Sequence, residues 1–174
     1  MSPFRVPEPG ARAIPGLLPR FLERASVAVG CTRDRSLAPR VHYVSGWQLD
    51  PDQRSIWGFV PRGFDAGLSE TLAEKGPFAL TVEHIGPHEC YQFKGTLDAL
   101  RPASEADRAV TARCRERFSA AVRGLLPHLA DKDASLRRYI AEPAVAVRVA
   151  VREIFLQTPG PGAGSLLTRL EDAP

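Results

Sequence analysis

The sequence predicts a mainly β domain with helices, six strands curling into a barrel plugged by one short leading helix and two further helices. Three observations carry this. Short runs rich in Val, Phe and Tyr recur along the chain between turn signals, as in Ser55-Ile56-Trp57-Gly58-Phe59-Val60 stopped by Pro61. The run from Ala144 to Leu156 keeps a Val-x-Val-x-Val period that sets Val145, Val147, Val149 and Val151 on one face. Only three segments show helical spacing instead.

The first helix centres on Leu17, Leu18, Phe21 and Leu22, with Pro15 or Pro19 in its first turn. Strand one is Ser26–Thr32, ending in the charged turn Arg33-Asp34-Arg35. Strand two runs from Pro39 to Leu49, with Val41, Tyr43 and Trp47 as its apolar set, and Asp50-Pro51-Asp52 turns the chain into strand three. Asp65 is placed to cap a second helix to about Lys75, with Leu68 and Leu72 one turn apart and Gly76-Pro77 closing it. Strands four and five are Phe78–Glu83 and Cys90–Leu97, joined through Gly86-Pro87. Ser104 starts the long helix, with Glu105 and Asp107 complementing its dipole and Val110, Cys114, Phe118 and Val122 as its apolar line. Gly124 and Pro127 end it, and residues 135–141 offer one further helical turn. The chain thus divides into a Pro-rich lead-in (1–14), one domain (15–158) and an extended tail (159–174).

Composition narrows the function classes. The 174 residues are 44% hydrophobic and 25% charged, which suits one globular domain. No apolar run reaches the length of a membrane span, and the Pro-rich start has no signal-like apolar stretch, so a cytoplasmic protein is expected. The net charge of +3 comes without any block of like charges, which argues against nucleic acid. Cys31, Cys90 and Cys114 are odd in number and without CxxC spacing, as free thiols are in a reducing compartment. The stretch Glu83–Cys90 holds His84, His88 and Cys90 among acids, but it lies on a hairpin end where the side chains need not converge, so no metal is assigned. The glycines of 160–164 lack the helix and lysine that a phosphate loop needs.

The order of elements, together with Trp47-x-x-Asp50-Pro51-Asp52, Phe59-Val60-Pro61-Arg62, the Gly76-Pro77 helix end, Tyr91–Leu97 and the Gln157–Gly164 tail, resembles the pyridoxamine 5′-phosphate oxidase-like split β-barrel family. That resemblance implies a homodimer holding FMN in clefts between the two copies, with NAD(P)H or another small reductant as a further partner. It implies Arg40, His42, Tyr43 and Val44 on strand two and Phe59, Val60, Pro61 and Arg62 on strand three as cofactor neighbours. Gln92 is implied for the ring edge, and Gln157 and Thr158 from the second copy. The oxidase's own strand-two lysine and its C-terminal Arg-Leu-His-Asp-Arg are absent, so pyridoxamine phosphate is not the expected substrate. No catalytic residue is assigned. The leading reading is a flavin-dependent oxidoreductase. A non-catalytic flavin or cofactor store, a haem-binding barrel with a His ligand and a ligand-free scaffold stay open beside it.

Overall fold

The chain from Pro39 to Leu49 closes the barrel by pairing with a different neighbour on either side of one bend. In the computed structural model, which describes residues 10–127 and 141–171, this run is two strands, β2 (Pro39–Val44) and β3 (Gly46–Leu49). The sheet order is β2-β1-β5-β6-β7-β4-β3, with β8 beside β7 and every neighbour antiparallel. The other strands are β1 (Val27–Arg33), β4 (Ser55–Pro61), β5 (Pro77–His84), β6 (Glu89–Pro102), β7 (Pro143–Leu156) and β8 (Leu166–Arg169). The two ends of the sheet, β2 and β3, are therefore separated by Ser45 alone. Its N–H and Oγ–H both donate to the Phe59 carbonyl, at 2.9 and 3.1 Å. At the next position a side chain is excluded, because a Cβ on Gly46 would lie 2.8 Å from the Thr111 Cα of the long helix.

The interior is filled by Phe78, Phe93, Ile56, Leu80, Leu97, Val60, Val82 and Ile154, all essentially without solvent contact. Val147, Val149 and Val151 of β7 point inward as their period requires, whereas Val145, in the last pair before the register shift between Val60 and Pro61, is only half-buried. Helix α1 (Leu18–Arg24) has Pro19 in its first turn and buries Leu18, Phe21 and Leu22. The Trp47 indole donates to the Leu22 carbonyl at 2.9 Å and pins α1 to β3. Helix α3 (Glu105–Leu125) opens with a reciprocal cap between Ser104 and Asp107.

Four expectations are corrected. Leu17 precedes α1 and is exposed instead of sharing its buried face. In β2 the inward phase belongs to His42 and Val44, and Val41 faces out, because both ring nitrogens of His42 find partners inside. Helix α2 is Leu68–Ala73, and Asp65 does not cap it: its carboxylate accepts from the Gly63 amide at 3.0 Å, while Gly67, at φ +80°, precedes the helix. On α3 the buried line is Asp107, Thr111, Cys114, Phe118 and Val122, with Val110 half-buried. A strict four-residue repeat drifts about 40° per step around a helix of 3.6 residues per turn, so Val110 falls off the face that Val122 occupies. The short strand β8 is an addition to the expected six. The suggested helical turn at 135–141 begins outside the described residues. No described helix is long and apolar enough to cross a membrane.

Candidate functional site

The β1–β2 turn and α2 face each other across a cleft of about 580 Å³. The turn is built by Asp34, whose carboxylate accepts from the Ser36 amide (2.9 Å), the Ser36 hydroxyl (2.6 Å) and the Ala38 amide (3.0 Å). The Ser36 hydroxyl bond and the Ala38 amide bond outweigh desolvation and hold the Asp34 pKa below its ordinary value. Arg33, Arg35 and Arg40 enter the cleft beside Asp34, Glu70 and Glu74. Arg35 pairs with Glu74. Arg40 lies 3.6 Å from Asp34 and 3.7 Å from Glu70, beyond direct hydrogen-bond reach, so its fork is steered without being consumed. Its guanidinium rests on Gly67, where a Cβ would approach Nη1 within 2.2 Å.

Arg62 sits on the loop leading from β4 into α2, exposed and with no ion pair among the described residues. That loop is anchored from below by His42. Its Nδ1–H donates to the Phe64 carbonyl (2.6 Å), which leaves Nε2 to accept from the Thr32 hydroxyl (2.8 Å). Burial is the main cause that lowers the His42 pKa, so the ring is neutral. With 1% of its surface exposed and both nitrogens engaged, His42 supports the loop and offers no atom to a ligand or a metal. Tyr43 packs edge-on against Phe64, centroids 4.4 Å apart.

The remaining candidates divide by the direction they face. Val44, Phe59, Val60 and Pro61 are all buried, Val44 and Val60 in the core and Phe59 on the opposite face of β4, beside Gly46. Tyr43 and Gln92 face outward in one cross-strand row, Tyr43–Val29–Thr81–Gln92–Phe155, and the Gln92 amide donates to Thr81 Oγ1 at 3.0 Å. Beside that row an apolar groove of about 360 Å³ is lined by Cys31, Leu37, Pro39, Phe78, Ala79 and Lys94, and it shares Arg33 with the first cleft. Gln157 and Thr158 stand at the far end of β7: the Thr158 hydroxyl accepts from the Cys90 amide at 2.9 Å and the Gln157 amide donates to the Cys90 carbonyl at 2.8 Å. Among the described residues no three His, Cys, Asp or Glu converge as metal ligands. His88 is tied to Glu83, and burial followed by the Glu83 charge pushes the Cys90 thiol up to about 11, so it stays protonated.

The sequence did not reveal Arg33, Arg35, Thr71 or Gly67 as lining residues. Arg33-Asp34-Arg35 reads as a solvated turn until α2 is seen across from it. A glycine two positions after Asp65 was the available signal for a tight backbone there.

No protein-family model matches the chain, and no curated protein matches it. Solved structures do. The structure of HupZ from Group A Streptococcus aligns at a TM-score of 0.50 and 14% identity, over 87% of this chain and 100% of that one. This chain is a split β-barrel. Two further split-barrel matches are an F420 reductase (TM-score 0.49, 13% identity, 81% and 98% of the two chains) and a putative pyridoxamine 5′-phosphate oxidase from Lactobacillus delbrueckii (0.48, 12%, 83% and 95%). In the split barrel the buried positions of β2 and β4 build the wall, while the cleft and the outward row carry the reachable groups.

Proposed function

We propose that this split barrel binds FMN in a cleft completed by a second copy of the chain and uses it for redox chemistry on a small molecule. The observation that carries the reading is the pair Arg40 and Arg62, which flank one loop. Arg62 has no carboxylate partner among the described residues, and Arg40 is laid against Gly67 in loose ion pairs with Asp34 and Glu70, at 3.6 and 3.7 Å. A phosphate monoester needs such charge-assisted, fork-shaped donors. The three carboxylates of the cleft oppose a dianion, so its hold would come from directed donors and not from net charge. Tyr43 and Gln92 on the outward row would flank the ring, and the neighbouring apolar groove suits a flat conjugated system.

Bound FMN would supply the hydride or electron transfer. The chain's share is placement: His42 holds the loop that carries Arg62, and Gln92 offers an amide already oriented by Thr81. A haem reading loses its strand histidine, since both nitrogens of His42 are taken. A flavin store differs from an oxidoreductase in one respect, the consumption of NAD(P)H by the FMN-loaded protein.

The test is titration of the purified protein with FMN and with riboflavin, followed by quenching of flavin fluorescence. Arg62→Ala and Arg40→Ala should each weaken FMN by about tenfold, equivalent to roughly 1.4 kcal/mol. Riboflavin, lacking the phosphate, should change by less than about twofold. Equal loss for both ligands would remove the phosphate assignment, and failure of the parent protein to bind either would remove the flavin.

A further inference from the structure

A second cavity, of about 550 Å³, opens between α1, α3 and β3, and it shares no lining residue with the cleft or the groove described above. Its floor is apolar: Trp47, Leu22, Leu49 and Val110. Two arginines, Arg113 and Arg117, enter it from α3, one turn apart and therefore on one side of the helix. Their situation differs from that of their neighbours. Arg108 pairs with Glu105 and Arg115 with Glu142, yet neither Arg113 nor Arg117 forms an ion pair among the described residues.

Arg117 is fixed from behind. Its Nε–H donates to the Ala25 carbonyl at 3.0 Å, one Nη contacts Cys114 Sγ at 3.1 Å, and the guanidinium carbon lies 5.9 Å from the Trp47 ring centre. A half-buried guanidinium held by neutral acceptors stands where water is partly excluded, with no carboxylate paired to it among the described residues. That arrangement favours an anion far more than a solvated surface arginine does. Holding it in place also removes the side-chain entropy that a ligand would otherwise have to overcome.

From this we infer that the α1–α3 cavity is a binding site for a small monoanionic carboxylate with an apolar body, distinct from the flavin cleft. The charge follows from the lining. Two guanidiniums stand against the single carboxylate of Glu23, leaving one positive charge for the ligand to match. The body follows from the floor, where half-buried Leu49 and Val110 give an apolar surface beside the Trp47 indole, itself only 3% exposed and anchored through its N–H. The side-chain amides of Gln48 and Gln53 complete the rim.

The probe is 2-naphthoate, with the neutral 2-naphthylmethanol as its isostere, titrated calorimetrically into the full chain at low salt. Naphthoate is expected to bind once per chain, and the alcohol at least about tenfold more weakly. Arg113→Gln, at an exposed helix position, should weaken naphthoate by about tenfold while the melting temperature and the FMN titration stay unchanged. Arg113→Lys, which keeps the charge and loses the fork, should fall between. Absence of saturable naphthoate binding, equal affinity for the alcohol, or undiminished affinity in Arg113→Gln would each overturn the assignment. Because the two sites share no residue, these outcomes do not depend on whether FMN binds.

Discussion

Asp107 gathers more hydrogen bonds than any short stretch of sequence would suggest. Its carboxylate accepts from the Ser104 amide (2.7 Å), the Ser104 hydroxyl (2.8 Å) and both Nη groups of Arg101 (2.5 and 3.1 Å). Desolvation by burial pushes its pKa up, but the Arg101 and Ser104 bonds together outweigh it and hold the group at about 2, against an ordinary 3.8. A carboxylate depressed in the folded state stabilises the protein fully above its unfolded pKa and loses that contribution as the pH falls through the folded value. Asp107→Asn should therefore cost about 1–2 kcal/mol at pH 7, the lower end because Arg101 is partly solvated. The gap between parent and variant should close between about pH 4 and pH 2 in urea unfolding. A gap independent of pH would mean that the loss is one of packing. Buried, neutral His42 has the same sign, its contribution falling as the pH drops below 6.5. The two residues differ in how legible they were. Ser104 and Asp107 stand three apart before a helical pattern, a local signal. His42 depends on Thr32 and Phe64, ten and twenty-two positions away, and nothing in the alternation of β2 announces partners at that range.

Among the elements, β6 shows where a strand's interior is set by its neighbour. A Cβ on Gly95 would lie 1.8 Å from the Ala150 carbonyl oxygen and 2.7 Å from its carbon, where β6 passes β7 beside a register shift. Backbone cannot yield as a side chain can, so Gly95→Ala should destabilise by more than about 3 kcal/mol, a loss of the size that strain and broken ladder bonds produce. Gly124, one residue from the end of α3, has open space around its Cβ position, and Gly124→Ala should stabilise by about 0.5–1 kcal/mol through helix propensity. Paired thermal melts of the two variants test both signs at once, and a Gly95→Ala protein as stable as its parent would show that β6 and β7 can separate without loss. The kinds and order of the elements were readable because each strand and helix keeps its own period. Their phases were less so: Val41 and Val110 were assigned to buried faces that His42 and Thr111 hold instead. Hydrophobicity alone ranks valine above histidine or threonine, and only the hydrogen bonds of His42 and the close approach of Thr111 to Gly46 reverse the order.

At the scale of the whole molecule, barrel closure at Ser45 turns one face of β2, β1, β5, β6 and β7 outward with little charge on it. Beside the row from Tyr43 to Phe155 runs a second, Val41–Cys31–Ala79–Lys94–Glu153, in which one lysine and one glutamate stand opposite each other and the lysine lies over Phe155. Val41 and Leu37 are 63% and 67% exposed at its edge. The closure was illegible beforehand, since Ser45 sits in an uninterrupted extended pattern and changes pairing partner only once β1 and β4 are in place. An apolar face of this kind on a folded domain calls for cover, and a second copy meeting it face to face would bring the outward row, with Tyr43 and Gln92, into the shared interface that the flavin reading requires. Sedimentation of the parent chain should therefore give twice 19.0 kDa. Val41→Glu with Ala79→Glu, two outward positions on strands that touch β1 from opposite sides, should give the monomer without lowering the melting temperature of the barrel itself. The same double variant should lose FMN while retaining 2-naphthoate, because the α1–α3 cavity lies on other elements. A parent that sediments as a monomer, or a monomeric variant that still holds FMN, would place the cofactor within a single chain and leave the outward face to another partner.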